Sequence, residues 1–350
     1  MWLSTRNFPT LSFQFLTGLY SKRCGAAFIA MVMLANSAVS VSADAPEMPD
    51  ITRLGGGPII VPDMDNTMGS NIQGPSLIRV PDWVDDPLGK YYLYFADHRG
   101  TYIRLAYADE LTGPWHMHET GSLQLEQSHF PTTCPPCSLA QGRSAALYAH
   151  IASPDVHIDN ENQQIIMYIH GRDVGQQITR AAVSKDGLHF EGRPENLGRP
   201  YFRVIEHGAY HYAMSMPGYL YRSSDGLTNF QEGPRFFNDN MRHSALLIRN
   251  NKLHVFWTQA GHVPERIFMS TIEMTGDWMD WTESEPIEVL RPQTQWEGAS
   301  LELAPSRRGH IDERVNQLRD PAIFEEDGNI YLLYSIAGEH GIAIAKVNFN

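Results

Sequence analysis

The chain has 350 residues, of which 42% are hydrophobic and 19% charged, the balance of an ordinary globular protein. A formal charge of -13 argues against nucleic acid and anionic membrane as partners, because both demand a basic face. Neither figure names a ligand.

The first 43 residues have the pattern of an export signal. Arg6, Lys22 and Arg23 precede the apolar run "AAFIAMVMLANSAVS" (26–40), and "VSA" ending at Ala43 fits a cleavage site. The run is too short to span a bilayer, which needs roughly 20 apolar residues. A periplasmic or secreted protein is therefore expected, with residues 44–70 as an N-terminal segment and 71–350 as the working domain.

Helical periodicity is nearly absent beyond that point. Short alternating runs separated by Gly, Asn and Asp turns recur instead, which is the pattern of an all-β chain. One unit returns five times, at 74–115, 153–190, 201–230, 244–281 and 320–347. It consists of an apolar strand, a polar turn, an aromatic-rich strand, a loop and a third strand. Four copies continue into a turn followed by Trp115, Phe190, Phe230 or Trp281, read as an outer strand that anchors an aromatic. The fifth copy stops short, and "ITRLGGGPIIV" (51–61) is available to complete it. Units of about 40 residues that cannot bury their own faces are expected to assemble as a five-bladed β-propeller.

In that architecture the head of each inner strand and the loop after each second strand lie on one face. In chain order this face collects Gly74, then Asp97, His98 and Arg99, then Asp155, then His170 and Arg172, then His243, His262, Arg319, Asp320 and His340. The opposite turns, such as "DNENQ" and "EEDG", read as solvated hairpin tips. Between the first two units "TTCPPCS" holds Cys134 and Cys137, too few thiols for zinc, which needs about four ligands, and a local disulfide is favoured over free thiols. A charged cluster in one concavity is the default site hypothesis.

"GPSLIR", "ASPDV", "RDPAIFEEDGNIYLLYS" and the "DG"-plus-aromatic tails resemble the five-bladed propeller glycosidases, the clan of glycoside hydrolase family 43 and its relative family 117. The resemblance covers essentially everything after residue 43. It implies hydrolysis of a plant or algal poly- or oligosaccharide by carboxylates in a central funnel. Family 43 places an Asp base at the head of blade one, a second Asp in blade three and a Glu acid opening blade four. This chain has Gly74, "GRPYF" and "MRHSALL" there, and keeps a strand-head carboxylate in blade two, Asp155. His243 falls where the acid would lie, and family 117 is similar in employing a histidine.

The expected catalytic set is Asp155, Asp320 and His243, with Asp320 as base and His243 as acid. For inversion the two groups should stand roughly 6.5–9.5 Å apart. Asp97, His98, Arg99, His170, Arg172, Glu297 and Arg319 are expected to bind substrate, and Trp296 is a candidate stacking platform. Histidines 98, 170, 262 and 340 could ring an axial calcium or sodium ion, but sugar hydroxyls account for them without a metal, so no cofactor is expected. The protein is expected to be a monomer. The competing function is a catalytically silent sugar-binding propeller, favoured by the glycine at position 74.

Overall fold

Each repeat in the sequence folds into one four-stranded antiparallel sheet. The computed structural model describes residues 47–66, 68–133 and 149–349, all within the unit Asp44–Asn350. The signal-like segment and Cys134 and Cys137 lie outside the described residues. Blade one comprises β2 (Gln73–Arg79), β3 (Tyr91–Ala96), β4 (Tyr102–Ala108) and β5 (His116–Gln124), and blade two β6 (Ile151–Asp159), β7 (Gln164–Asp173), β8 (Gln176–Ser184) and β9 (Glu191–Gly192). Blade three holds β10 (Arg203–His207), β11 (Tyr210–Ser215), β12 (Tyr219–Ser223) and β13 (Gln231–Arg235). Blade four holds β14 (Met241–Arg249), β15 (Lys252–Gln259), β16 (Ile267–Glu273) and β17 (Ile287–Leu290). Blade five is β18 (Arg319–Glu326), β19 (Asn329–Ser335), β20 (Ile342–Asn348) and, as its outer strand, β1 (Asp50–Arg53) from the other end of the chain.

The expected five-bladed propeller is therefore the observed fold, with 49% strand and only 3% helix. No helix among the described residues is long and apolar enough to cross a membrane.

The middle strands explain why the blades stack. "YYLYFA" of β3 is buried throughout, as a strand covered on both faces must be. Five apolar clusters result, each shared by two neighbouring blades: one and two, five and one, three and four, four and five, two and three. No blade owns a core of its own.

The aromatic tails fasten each blade to the one before it. Phe190 of blade two meets Tyr94 of blade one edge-on at 5.8 Å, and Phe230 of blade three meets Tyr168 of blade two at 6.3 Å. Trp281 of blade four stacks on Tyr212 of blade three at 5.5 Å. Such pairs contribute about 0.5–1.5 kcal/mol beyond area burial. The "DG" turns add a polar stitch. Tyr94 Oη donates to the Gly187 carbonyl at 2.8 Å and Tyr168 Oη to that of Gly226 at 2.7 Å. The repeat is conspicuous in the sequence because every copy must fit its neighbour.

Ring closure rests on β1, paired antiparallel with β20 from Asp50 opposite Asn348 to Arg53 opposite Ala345. Arg53 Nε and Nη2 donate to the carboxylate of fully buried Glu297 at 2.8 and 3.0 Å. Tyr334 Oη (3.0 Å) and the N–H groups of Gln293 (2.8 Å) and Thr294 (3.1 Å) complete its shell. Glu297 is thus a closure residue with its oxygens occupied, which corrects its expected substrate role. Trp296 packs partly buried against the blade four–five cluster, not into a sugar subsite.

Arg53→Ala should lower unfolding stability by about 2 kcal/mol, the usual scale for a hydrogen bond to a buried charge. Urea unfolding should show an earlier midpoint at unchanged slope. An unmoved midpoint would mean the latch does not hold the ring closed.

Candidate active site at the strand heads

Four inner strands carry a register slip at the mouth: between Gln73 and Ser76, Ala152 and Asp155, Met241 and Ser244, and Arg319 and Ala322. Bulges re-aim side chains at such positions. Gly74, Ser153, Tyr201 and Asp320 all have φ between 47 and 68° here, unusual for the three that are not glycine. They form one ring around the axis.

Gly74 has a physical reason to be glycine. A Cβ there would stand 2.7 Å from Ser153 Cα, inside contact distance. Blade one approaches blade two too closely for any side chain at the position where family 43 would carry its base.

Superposing the slips also separates the two expected carboxylates. Pro154 and Pro321 share a place in the register; Asp320 precedes its proline and Asp155 follows its own. Asp320 meets His243, with Oδ1 against Nδ1 in close contact; both are buried, at 1% and 3% exposure. Burial opposes charge on Asp320, yet His243 and Arg242 hold its carboxyl below the usual range. Burial pushes His243 below the ordinary imidazole value, against the pull of Asp320. The pair therefore sets an ionised carboxylate against the Nδ1 edge of a neutral ring, with Nε2 left without a protein hydrogen bond. Direct contact replaces the expected separation of 6.5–9.5 Å, so no water and sugar fit between these two groups. Asp320 positions His243.

Aromatic rings extend this pair. Tyr201 lies 4.8 Å from His243 and 3.8 Å from His170, centroid to centroid. His170 is buried with both ring nitrogens unpartnered by protein, and burial, with the neighbouring histidines 150, 98 and 243 and Arg203, drives it well below the ordinary value. It is a neutral imidazole.

Around these groups lies a network of buried charges. Glu265 meets Arg242 at 3.0 Å and Arg319 at 3.3 Å. Arg319 also reaches Glu339 at 2.8 Å and Gln317 at 2.7 Å, and Asn71 donates to Glu339 at 2.7 Å. His98 completes this knot, its ring 3.3 Å from Glu339. Burial opposes charge on Glu339, but His98 and Arg319 hold it far below the ordinary range. The carbonyls of Arg307 and Gly309, from the segment before blade five, accept from Arg242 and Arg319. Arg319 is wholly buried with its donors engaged, so it organises this knot and does not touch substrate. Asp97 accepts the Arg99 N–H (2.7 Å) and faces Arg104 at 3.6 Å; Arg99 pairs with Asp312 at the exposed rim. Arg172 is partly buried beyond His170, its Nε unpartnered.

Asp155 belongs elsewhere. Its oxygens take His157 Nε2 at 2.8 Å, the Val204 N–H at 2.7 Å and Arg203 Nη1 at 3.3 Å. Arg203 also donates to the carbonyls of Pro154 (2.5 Å), Ser244 (3.2 Å) and Pro75 (3.5 Å), from three different blades. It acts as a bolt across the axis. On one side stand His243, Asp320 and His170, and on the other Asp155 opens into a cavity with His157. The expectation of one shared funnel is corrected, because the offset about the proline turns the two carboxylates to opposite sides.

The four-histidine ring does not assemble either. His262 lines a lateral cavity with Phe237 and Trp257, and packs edge-on to Phe268 at 5.1 Å. Among the described residues no group of three or more His, Cys, Asp or Glu is placed to hold a metal ion. Arg203 and Tyr201 were missed because blade three has no Asp-Pro marker.

Gly74→Asp should cost roughly 1–3 kcal/mol through overpacking and restore no catalytic carboxylate; thermal unfolding reads the loss. Arg203→Lys should lower stability by about 3 kcal/mol, because one ammonium cannot serve three carbonyls and a carboxylate. A lysine variant as stable as the parent in urea would remove the bolt.

No protein-family model matches the sequence. An uncharacterized protein of Acanthamoeba polyphaga mimivirus is 36% identical over 304 residues, 79% of this chain and 83% of its own length. Among solved structures, a Bacteroides thetaiotaomicron endo-1,4-beta-xylanase is similar at TM-score 0.54 and 11% identity, covering 80% of this chain and 94% of that one. A putative glycosidase from the same organism gives 0.54 at 12% identity over 86% and 97%. The GH43_1 enzyme from Xanthomonas citri complexed with xylose gives 0.53 at 11% over 83% and 91%. At such identities the likeness is one of fold. The chain belongs to the family of the mimivirus protein, and it has the five-bladed propeller fold seen in family-43 glycosidases.

Proposed function

We propose that the protein hydrolyses a glycosidic bond, with His243 as the proton donor and Asp320 as the group that holds it. The observation that carries this is the buried His243–Asp320 pair with Nε2 unpartnered, at the strand heads beside Tyr201 and His170. In the step, the glycosidic C–O bond breaks toward oxygen and that oxygen takes the Nε2 proton. Water adds to the anomeric carbon and releases its own proton to solvent. The fold shared with xylanase and glycosidase structures supports a carbohydrate substrate.

The lowered value of His243 fixes the sign of the pH dependence. Its donor form is populated only below the ordinary imidazole range, so turnover should rise as pH falls through its folded value. General acid assistance is typically worth ~10²–10⁴-fold. His243→Ala should lose that much on a substrate with a poor leaving group, and much less on an activated aryl glycoside. Asp320→Asn should show the same leaving-group dependence and move the alkaline limb to lower pH, because the carboxylate raises His243. Equal losses on both substrates would return Asp320 to the role of base. Turnover that climbs with pH would make His243 the base and overturn the assignment.

A second reading is favoured by the state of the other carboxylates. Glu265, Glu339 and Glu297 are each fully buried and tied to arginine, so none is free to activate water. A sugar-binding propeller without turnover would give calorimetric binding of oligosaccharides and no product after long incubation.

A further inference from the structure

On the far side of Arg203 from His243, the axis opens into a cavity of about 400 Å³. Asp155, His157 and Arg203 stand at its inner end, and the exposed carboxylates of Glu206 and Glu325 at its mouth. Between them the wall is mostly aliphatic, with Ala322 among the small residues. We propose that this cavity is a second ligand site, for a neutral polyhydroxylated molecule the size of a monosaccharide.

The chemistry of the lining selects that class. A pocket of several hundred Å³ with apolar walls and a few polar groups is the usual form of a small-molecule site. The inner end is already balanced: Asp155 is held by His157, Arg203 and the Val204 N–H, and the other donors of Arg203 are on carbonyls. An anion would find Arg203 fully engaged and Arg79 already paired with Glu326 at 3.2 Å, and would pass two carboxylates at the mouth. A cation would meet His157, which Asp155 and Glu206 favour in its charged form against the cost of burial. What remains unused are two donors, His157 Nδ1 and the Ser76 hydroxyl, and acceptors at the mouth. A polyol supplies both kinds of partner and lays its C–H faces on the aliphatic wall. This inference does not depend on hydrolysis at His243, because Arg203 separates the two compartments.

The test is ligand-observed saturation-transfer NMR with D-xylose, L-arabinose, D-galactose and D-glucose at millimolar concentration, and with spermidine and sulfate as charged probes. At least one sugar should bind the parent protein and the His243→Ala variant alike. His157→Gln, which leaves Asp155 its other two donors, should weaken that binding tenfold or more, and Ala322→Phe should abolish it by filling the space. Circular dichroism melting confirms that each variant is folded. Sugar binding unmoved by both variants, binding of spermidine or sulfate that the same variants abolish, or no sugar binding at all would overturn the proposal. Each of these results leaves the hydrolysis assay free to succeed or fail independently.

Discussion

Arg203 reaches across the propeller axis, and the interior is organised by what it bonds. One guanidinium serves carbonyls of blades one, two and four and the carboxylate of Asp155. A planar fork of five donors meets that geometry; a point charge does not. Its own charge is offset by Asp155, so a buried cation is tolerated where an uncompensated one would be costly. It closes off one end of the cavity that Asp155 and His157 line, and neither His243 nor Asp320 lines that cavity.

Around that bolt the ring is held by contacts that pass from each blade to its neighbour. The aromatic tail of one blade and the middle-strand tyrosine of the preceding one meet three times, twice edge-on and once stacked. Because the cores lie between blades, stability is a property of the closed ring. That places weight on the seam, where β1 and Arg53 join the two ends of the propeller through Glu297.

The face carrying His243 is crowded with buried charge, and most of it is structural. Glu265, Arg242, Arg319 and Glu339 compensate one another, with backbone carbonyls taking the spare donors. Such a knot organises the loops above the strand heads. The Nε2 of His243 and the two nitrogens of His170 are among the buried atoms it leaves without a protein hydrogen bond. Compensation, not composition, decides which polar residues are working groups.

The sequence by itself determined the fold. Period-two strands, "DG" turns and aromatic tails repeat because each blade must fit the next, and a repeating physical requirement leaves a repeating pattern in the chain. It also determined which residues cluster at the strand heads, since strand direction fixes which loops share a face: His98, His170, His243 and Asp320 were all legible there. Tertiary structure alone decided their partners. Asp155 and Asp320 look alike as strand-head carboxylates beside proline, yet a two-residue offset in register turns one toward His157 and the other toward His243. Glu297 reads as a loop carboxylate until Arg53, 244 positions earlier, arrives to neutralise it. Local pattern encodes backbone geometry, which neighbours in sequence share. Electrostatic pairing is set by distances across the ring, between groups that are strangers along the chain.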